Sequence, residues 1–134
     1  MNSLDAQIDA FLAAPSFGVA GASDDQRKYG HKVYVCYLNN GRKAYPINPR
    51  QTEVLGNPCY KNIAALPEKI ESLSIITPPA VTEDLVAEAI SCGVKNIWMQ
   101  PGAESTKAVN MAKEAGLNVI YGGACLLVVL GYRE

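Results

Sequence analysis

GVAGASDDQRKYG, residues 18–30, is the stretch on which the rest of the chain turns. It continues a short run of small and apolar residues, 17–22, that has the length of a buried strand, and Ser23-Asp24-Asp25 then supplies a polar turn. From about Arg27 to Asn40 the pattern is helical, with Val33 and Tyr37 four apart, and Asn39-Asn40-Gly41 provides a left-handed stop. Strand, glycine turn, helix is the expected order. Gly21-Ala22-Ser23 lets the backbone turn with little side-chain bulk, and the next helix would aim its free N–H groups and positive dipole end at that turn. A diphosphate suits such a corner, with a hydroxyl from Ser23 and charge-assisted bonds from Arg27 and Lys28. An ordinary strand-to-helix turn also favours glycine and serine. The strict G-x-G-x-x-G is absent, and Gly18-x-x-Gly21 with Gly30 is a looser pattern that names no ligand by itself.

Working outward, Leu4, Ile8, Phe11 and Leu12 recur at helical spacing behind Ser3, an expected N-cap, and Pro15 ends that helix. Residues 43–47 form an expected second strand, closed by Asn48-Pro49, while 54–60 is expected to be loop because Gly56 and Pro58 break its periodicity. A short helix is expected at 63–66. Residues 73–77 form a third strand stopped by Pro78-Pro79, and Thr82 is the expected cap of a helix carrying Leu85, Val86, Ala89 and Ile90 on one face. Residues 96–99 give a fourth strand, 104–115 a helix and 117–121 a fifth strand. Strands that alternate with helices, and that are continuously apolar, predict an α/β fold of the Rossmann-like, three-layer kind. It would have a five-stranded parallel sheet and helices on both faces. At 134 residues and 49% hydrophobic content, one domain over 1–134 is expected.

Twelve basic residues against 13 acidic give a net charge of −1 with no run of like charge, which argues against a nucleic-acid partner. Arg27-Lys28, Arg42-Lys43 and Arg50 all fall in the first half, a local positive field suited to a small anion. Cys36, Cys59, Cys92 and Cys125 include no C-x-x-C pair, and His31 is the one histidine, so no metal site is expected. The first residues lack the basic start of a secretory signal, and the longest apolar run, 124–130, falls far short of the roughly 20 residues of a spanning helix. A soluble, cytoplasmic protein with no membrane partner is expected.

Ligands of parallel sheets bind beyond the carboxyl ends of the strands, where the winding reverses. After the second strand, a NAD site would place an acidic residue for the ribose hydroxyls, whereas Ile47-Asn48-Pro49-Arg50 stands here. Arg50 suits a ribose bearing its own phosphate, as in coenzyme A or NADP, and a solvated surface arginine is the plainer alternative. Pro78-Pro79 and Gln100-Pro101-Gly102 stiffen the next two exits into walls for an extended ligand, or simply end their strands. Tyr29 lies at the start of the helix by the turn, and Tyr60 is the aromatic best placed to stack on an adenine. No catalytic set emerges: His31 has no carboxylate partner in its local sequence, and Cys125, after Gly122-Gly123, is read first as a packed core residue.

Four motifs in order, VAGAS with Lys28-x-Gly30, AYPINPR with Gly56-x-Pro58-Cys59-Tyr60, SIITPPAVTEDLVAEAI and NIWMQPGAES, resemble the small stand-alone CoA-binding proteins. Their fold is like the CoA-binding domain of the succinyl-CoA synthetase α-subunit, and the resemblance runs over residues 16–125. It implies that Gly21, Ala22, Ser23 and Lys28 meet the diphosphate region. It further implies that Asn48, Pro49 and Arg50 line the adenosine side, and that Pro78, Pro79, Gln100, Pro101 and Gly102 edge the rest of the groove. Many relatives have Asp-Arg-Cys where this chain has Gly122-Gly123-Ala124-Cys125, so no role of that Asp-Arg pair transfers. The synthetase's phosphorylated histidine belongs to a later domain, and its ligase activity is not carried over.

The expectation is therefore a non-enzymatic module binding coenzyme A or an acyl-CoA, as a metabolite sensor or carrier. One rival is an NAD(P)-binding redox-sensing or dehydrogenase-like protein. Another is an interaction subunit whose apolar residues 124–130 bury against a partner or a second copy as a homodimer.

Overall fold

The computed structural model describes residues 3–131. Its helices are α1 (Leu4–Leu12), α2 (Tyr29–Asn39), α3 (Pro79–Ser91), α4 (Thr106–Glu114) and α5 (Leu126–Leu130). Its strands are β1 (Phe17–Ala20), β2 (Ala44–Ile47), β3 (Glu53–Val54), β4 (Asn57–Pro58), β5 (Ser72–Ile75), β6 (Asn96–Met99) and β7 (Asn118–Ile120), with a single 3₁₀ turn at Ile63–Ala65. The main sheet runs β2-β1-β5-β6-β7, all parallel, as the alternation of strand and helix predicts.

Side-chain alternation along each strand divides the core into two. Ala20, Leu73, Ile75, Ile97, Met99 and Val119 face Val86 and Ala89 of α3 and Ala108, Val109 and Ala112 of α4. Phe17, Val19, Trp98 and Ile120 face the other way, onto Phe11 of α1, Val33, Tyr34 and Tyr37 of α2 and Leu126 of α5. Both faces are thereby covered, and the Rossmann-like three-layer architecture follows. None of the described helices is long and apolar enough to cross a membrane.

Two expectations need correction. Residues 54–60 are not all loop: β3 and β4 pair as a small antiparallel hairpin, because Leu55 and Gly56 both take positive φ, 53° and 76°, and close a two-residue turn. Asp24 Oδ1 anchors that turn by accepting from Leu55 N at 2.7 Å. Thr82 is not a cap. Pro78 holds the N-cap position of α3 and Pro79, with preset φ and no orphan N–H, is its first residue. Thr82 lies inside the helix, its hydroxyl 2.8 Å from that of Thr77.

Leu55 carries the left-handed strain without burying its side chain, which is 46% exposed. Leu55→Asn should raise stability by about 0.5–1 kcal/mol, since asparagine tolerates that region and leucine does not. A urea midpoint that falls would show that the leucine side chain contributes more than its backbone costs.

Candidate functional site

The chain leaves β1 toward β2 on one side and returns to pair β5 on the other, so the winding reverses between β1 and β5. At the carboxyl ends of these strands lies a cleft of about 640 Å³. Its floor is main chain. Gly21 has φ +98°, and a Cβ there would stand 2.0 Å from the Ile76 carbonyl oxygen; a Cβ on Gly30 would stand 1.9 Å from the Gly21 carbonyl oxygen. The exits of β1 and β5 and the start of α2 thus touch backbone to backbone, which only glycine permits.

Side chains lace this floor to the β2 exit. Asn48 Nδ2 donates to Ala22 O at 2.9 Å while its Oδ1 accepts from Arg50 N at 2.9 Å. Gln51 Nε2 donates to Ser23 Oγ at 3.3 Å, and Gln51 Oε1 accepts from Asp24 N at 3.0 Å. His31, buried in the first turn of α2, lies with Nδ1 2.8 Å from Ser23 O. A carbonyl oxygen only accepts, so Nδ1 carries the proton in that contact. α2 itself starts at Lys28 with no side-chain cap, unlike α1 and α4, which Ser3 and Ser105 cap. Its N-cap residue, Lys28, lines the cleft, so the positive end of the α2 dipole lies on that side.

Of the residues singled out from the sequence, Gly21, Lys28, Asn48, Pro49, Arg50 and Pro78 line the cleft. Ala22 and Ser23 are buried behind it, and the Ser23 hydroxyl accepts from Asp25 N rather than facing the space. Arg27 forms a two-point pair with Asp25, Nε–Oδ1 3.0 Å and Nη2–Oδ2 2.9 Å. The Arg27 guanidinium holds the Asp25 carboxyl down to about 2, and with it this arginine is taken up locally. Tyr60 packs edge-on to Tyr45, ring centroids 6.0 Å apart, instead of opening into the cleft. Pro79 sits exposed on the first turn of α3. Pro101 and Gly102 are exposed beyond β6, and Gln100 is completely buried there against Tyr29, whose hydroxyl donates to Gln100 Oε1 at 3.2 Å.

Lining residues that the sequence reading passed over are Lys61, Asn62, Ile76, Thr77 and a stripe of α3, Val81, Asp84, Leu85 and Glu88. The wall nearest β1 and β2 is cationic through Lys28, Arg50 and Lys61, and the α3 wall carries two carboxylates. An anion is drawn to the first wall and turned from the second. A smaller hollow of about 400 Å³, around Ile63, Leu66, Ile70 and Cys92, lies at the opposite edge of the sheet, away from the switch point.

The family model described as "CoA binding domain" matches residues 15–131. The chain belongs to this CoA-binding family. It is 31% identical over 124 residues to the α subunit of an ADP-forming acetate–CoA ligase II of Pyrococcus furiosus, covering 84% of this chain and 27% of that subunit. The chain therefore spans about a quarter of that relative. Among solved structures, a conserved hypothetical protein from P. furiosus superposes with TM-score 0.80 at 32% identity, over 85% of this chain and 97% of that one. A hypothetical protein from Pyrococcus horikoshii OT3 superposes with TM-score 0.88 at 28% identity, over 95% and 89%. In this CoA-binding domain the matched region takes in the whole cleft.

Proposed function

We propose that the chain binds coenzyme A or an acyl-CoA in the switch-point cleft without catalysing its turnover, serving as a sensor or carrier of that metabolite. The observation that carries the reading is the cleft's division of labour: a main-chain floor beside an uncapped helix start, with Lys28, Arg50 and Lys61 on one wall. The floor and Lys28 hold the diphosphate, and Arg50, beside Asn48 and Pro49, meets the 3′-phosphate of the ribose. The Asp84 carboxylate, and the Glu88 oxygen that does not accept from Ile63 N, take bonds from ligand hydroxyl and amide N–H groups and keep the phosphates on the far wall. Family membership supports the ligand class. The ligase activity of the longer relative is not part of this proposal, because the match takes in only 27% of that subunit.

Isothermal titration with CoA, dephospho-CoA, NADH and NADPH tests the reading. CoA should saturate one site, and Arg50→Ala should weaken it tenfold or more, the loss of one charge-assisted contact, about 1.5–3 kcal/mol. Dephospho-CoA should change little in the same variant. Equal losses for both ligands would remove the 3′-phosphate role, and saturation by a nicotinamide cofactor without CoA binding would overturn the proposal.

A further inference from the structure

One residue beyond Lys28, at the edge of the cleft, Tyr29 meets two groups at the carboxyl edge: Gln100 Oε1 and the sulfur of Cys125. Gln100 is completely buried, and its orientation is fixed because Leu126 N donates to Oε1 at 2.9 Å. Its Nε2 has no hydrogen-bond partner among the described residues. Two buried amide hydrogens without an acceptor are costly to keep, and they suit an incoming carbonyl.

This cluster lies outside the cleft's lining, one strand further along the carboxyl edge. Ile76 and Thr77, at the exit of β5, line the cleft, and Gln100 follows the neighbouring strand β6. Adjacent strands lie about 4.8 Å apart, so the cluster begins roughly one strand spacing beyond the cleft. A CoA whose diphosphate rests by Lys28 and whose adenosine lies toward Arg50 sends its pantetheine arm the other way. That arm carries two amide carbonyls and ends in a thiol.

Resting on the CoA reading above, we propose that Cys125 is a site of mixed-disulfide formation with the ligand's own thiol. Cys125 Sγ attacks a sulfur of CoA disulfide. A bond forms between Sγ and that sulfur as the original S–S bond breaks, and the second CoA leaves as a thiolate that takes up the proton lost by Cys125. The protein thiol is oxidised and one CoA is reduced, with the CoA disulfide as the oxidant. Tyr29 serves the step because burial holds its phenol protonated well above its ordinary range. Its one hydrogen can pass from Gln100 Oε1 to a charged sulfur while Leu126 N still satisfies the amide oxygen. The other cysteines are placed otherwise: Cys36 is buried, Cys59 lies behind Asn48 at the adenosine end, and Cys92 ends α3 at the opposite edge of the sheet.

The reduced protein would be incubated with CoA disulfide and, separately, with cystamine, followed by intact-mass analysis and peptide mapping. One CoA should be gained on Cys125, at least tenfold faster than the cystamine adduct, removable with dithiothreitol and absent in Cys125→Ser. Labelling elsewhere, or equal rates for the two disulfides, would overturn the inference. Calorimetry with reduced CoA on wild type and Cys125→Ser separates the two readings. Heat with Cys125 left unlabelled overturns this inference alone, and no heat with CoA overturns both.

Discussion

Gly30→Ala should cost at least about 3 kcal/mol, enough to remove much of the stability of a domain whose total is of order 5–15 kcal/mol. The added methyl would stand 1.9 Å from Gly21 O and 3.3 Å from Ala22 Cα, both backbone atoms that cannot rotate aside. α2 would have to lift from β1, and lifting it strains the Ser23–His31 contact and the packing of Val33, Tyr34 and Tyr37 on the sheet. Gly116→Ala is the control. Gly116 has φ +81° with nothing within 4 Å of an added Cβ, so only the left-handed penalty of about 1–2 kcal/mol applies. Urea unfolding of both variants should separate them clearly, and equal midpoints would mean that α2 relaxes at little cost.

Trp98→Ala should be of similar size, about 3–5 kcal/mol, by a different route. Trp98 is completely buried at the centre of the α1/α2/α5 face, edge-on to Phe11 at 5.3 Å. Its indole N–H donates to Ala124 O at 2.9 Å, which ties the segment before Cys125 to the sheet. Truncation empties the largest buried side chain and leaves that carbonyl without its donor. Trp98→Phe retains much of the packing and loses the bond, so it should cost markedly less. Circular dichroism in urea measures both, and a Phe variant as weak as the Ala variant would place most of the energy in the hydrogen bond.

The sheet and its order of helices were legible because four-residue apolar strands between amphipathic helices admit few arrangements. The hairpin β3–β4 was not, since strands of two residues carry no periodicity and its turn depends on a leucine in a glycine-like conformation. For the site, Gly21 and Asn48-Pro49-Arg50 follow strands directly and Lys28 opens the helix after β1, and that placement exposes them to sequence reasoning. Lys61 and Asn62 line the cleft only because Tyr60 bridges back to Ile47, a pairing between segments that nothing local announces. The α3 stripe had a signal: Val81, Asp84, Leu85 and Glu88 fall at i, i+3, i+4 and i+7. The apolar face that shares Leu85 with it, Leu85, Val86, Ala89 and Ile90, is the stronger pattern in the sequence, although Ile90 is 37% exposed. Arg27 pairs with Asp25, two residues earlier, a local partner that the sequence reading of its charge did not include.

The cleft's floor is peptide backbone, whereas its preferences reside in a few side chains on the rim. Shape and selectivity are therefore separable. Exchanging the charges at positions 28, 50, 61 and 84 retunes the pocket toward a different cofactor while leaving the framework that folds it untouched, whereas Glu88 also accepts from Ile63 N at 3.2 Å and belongs to both.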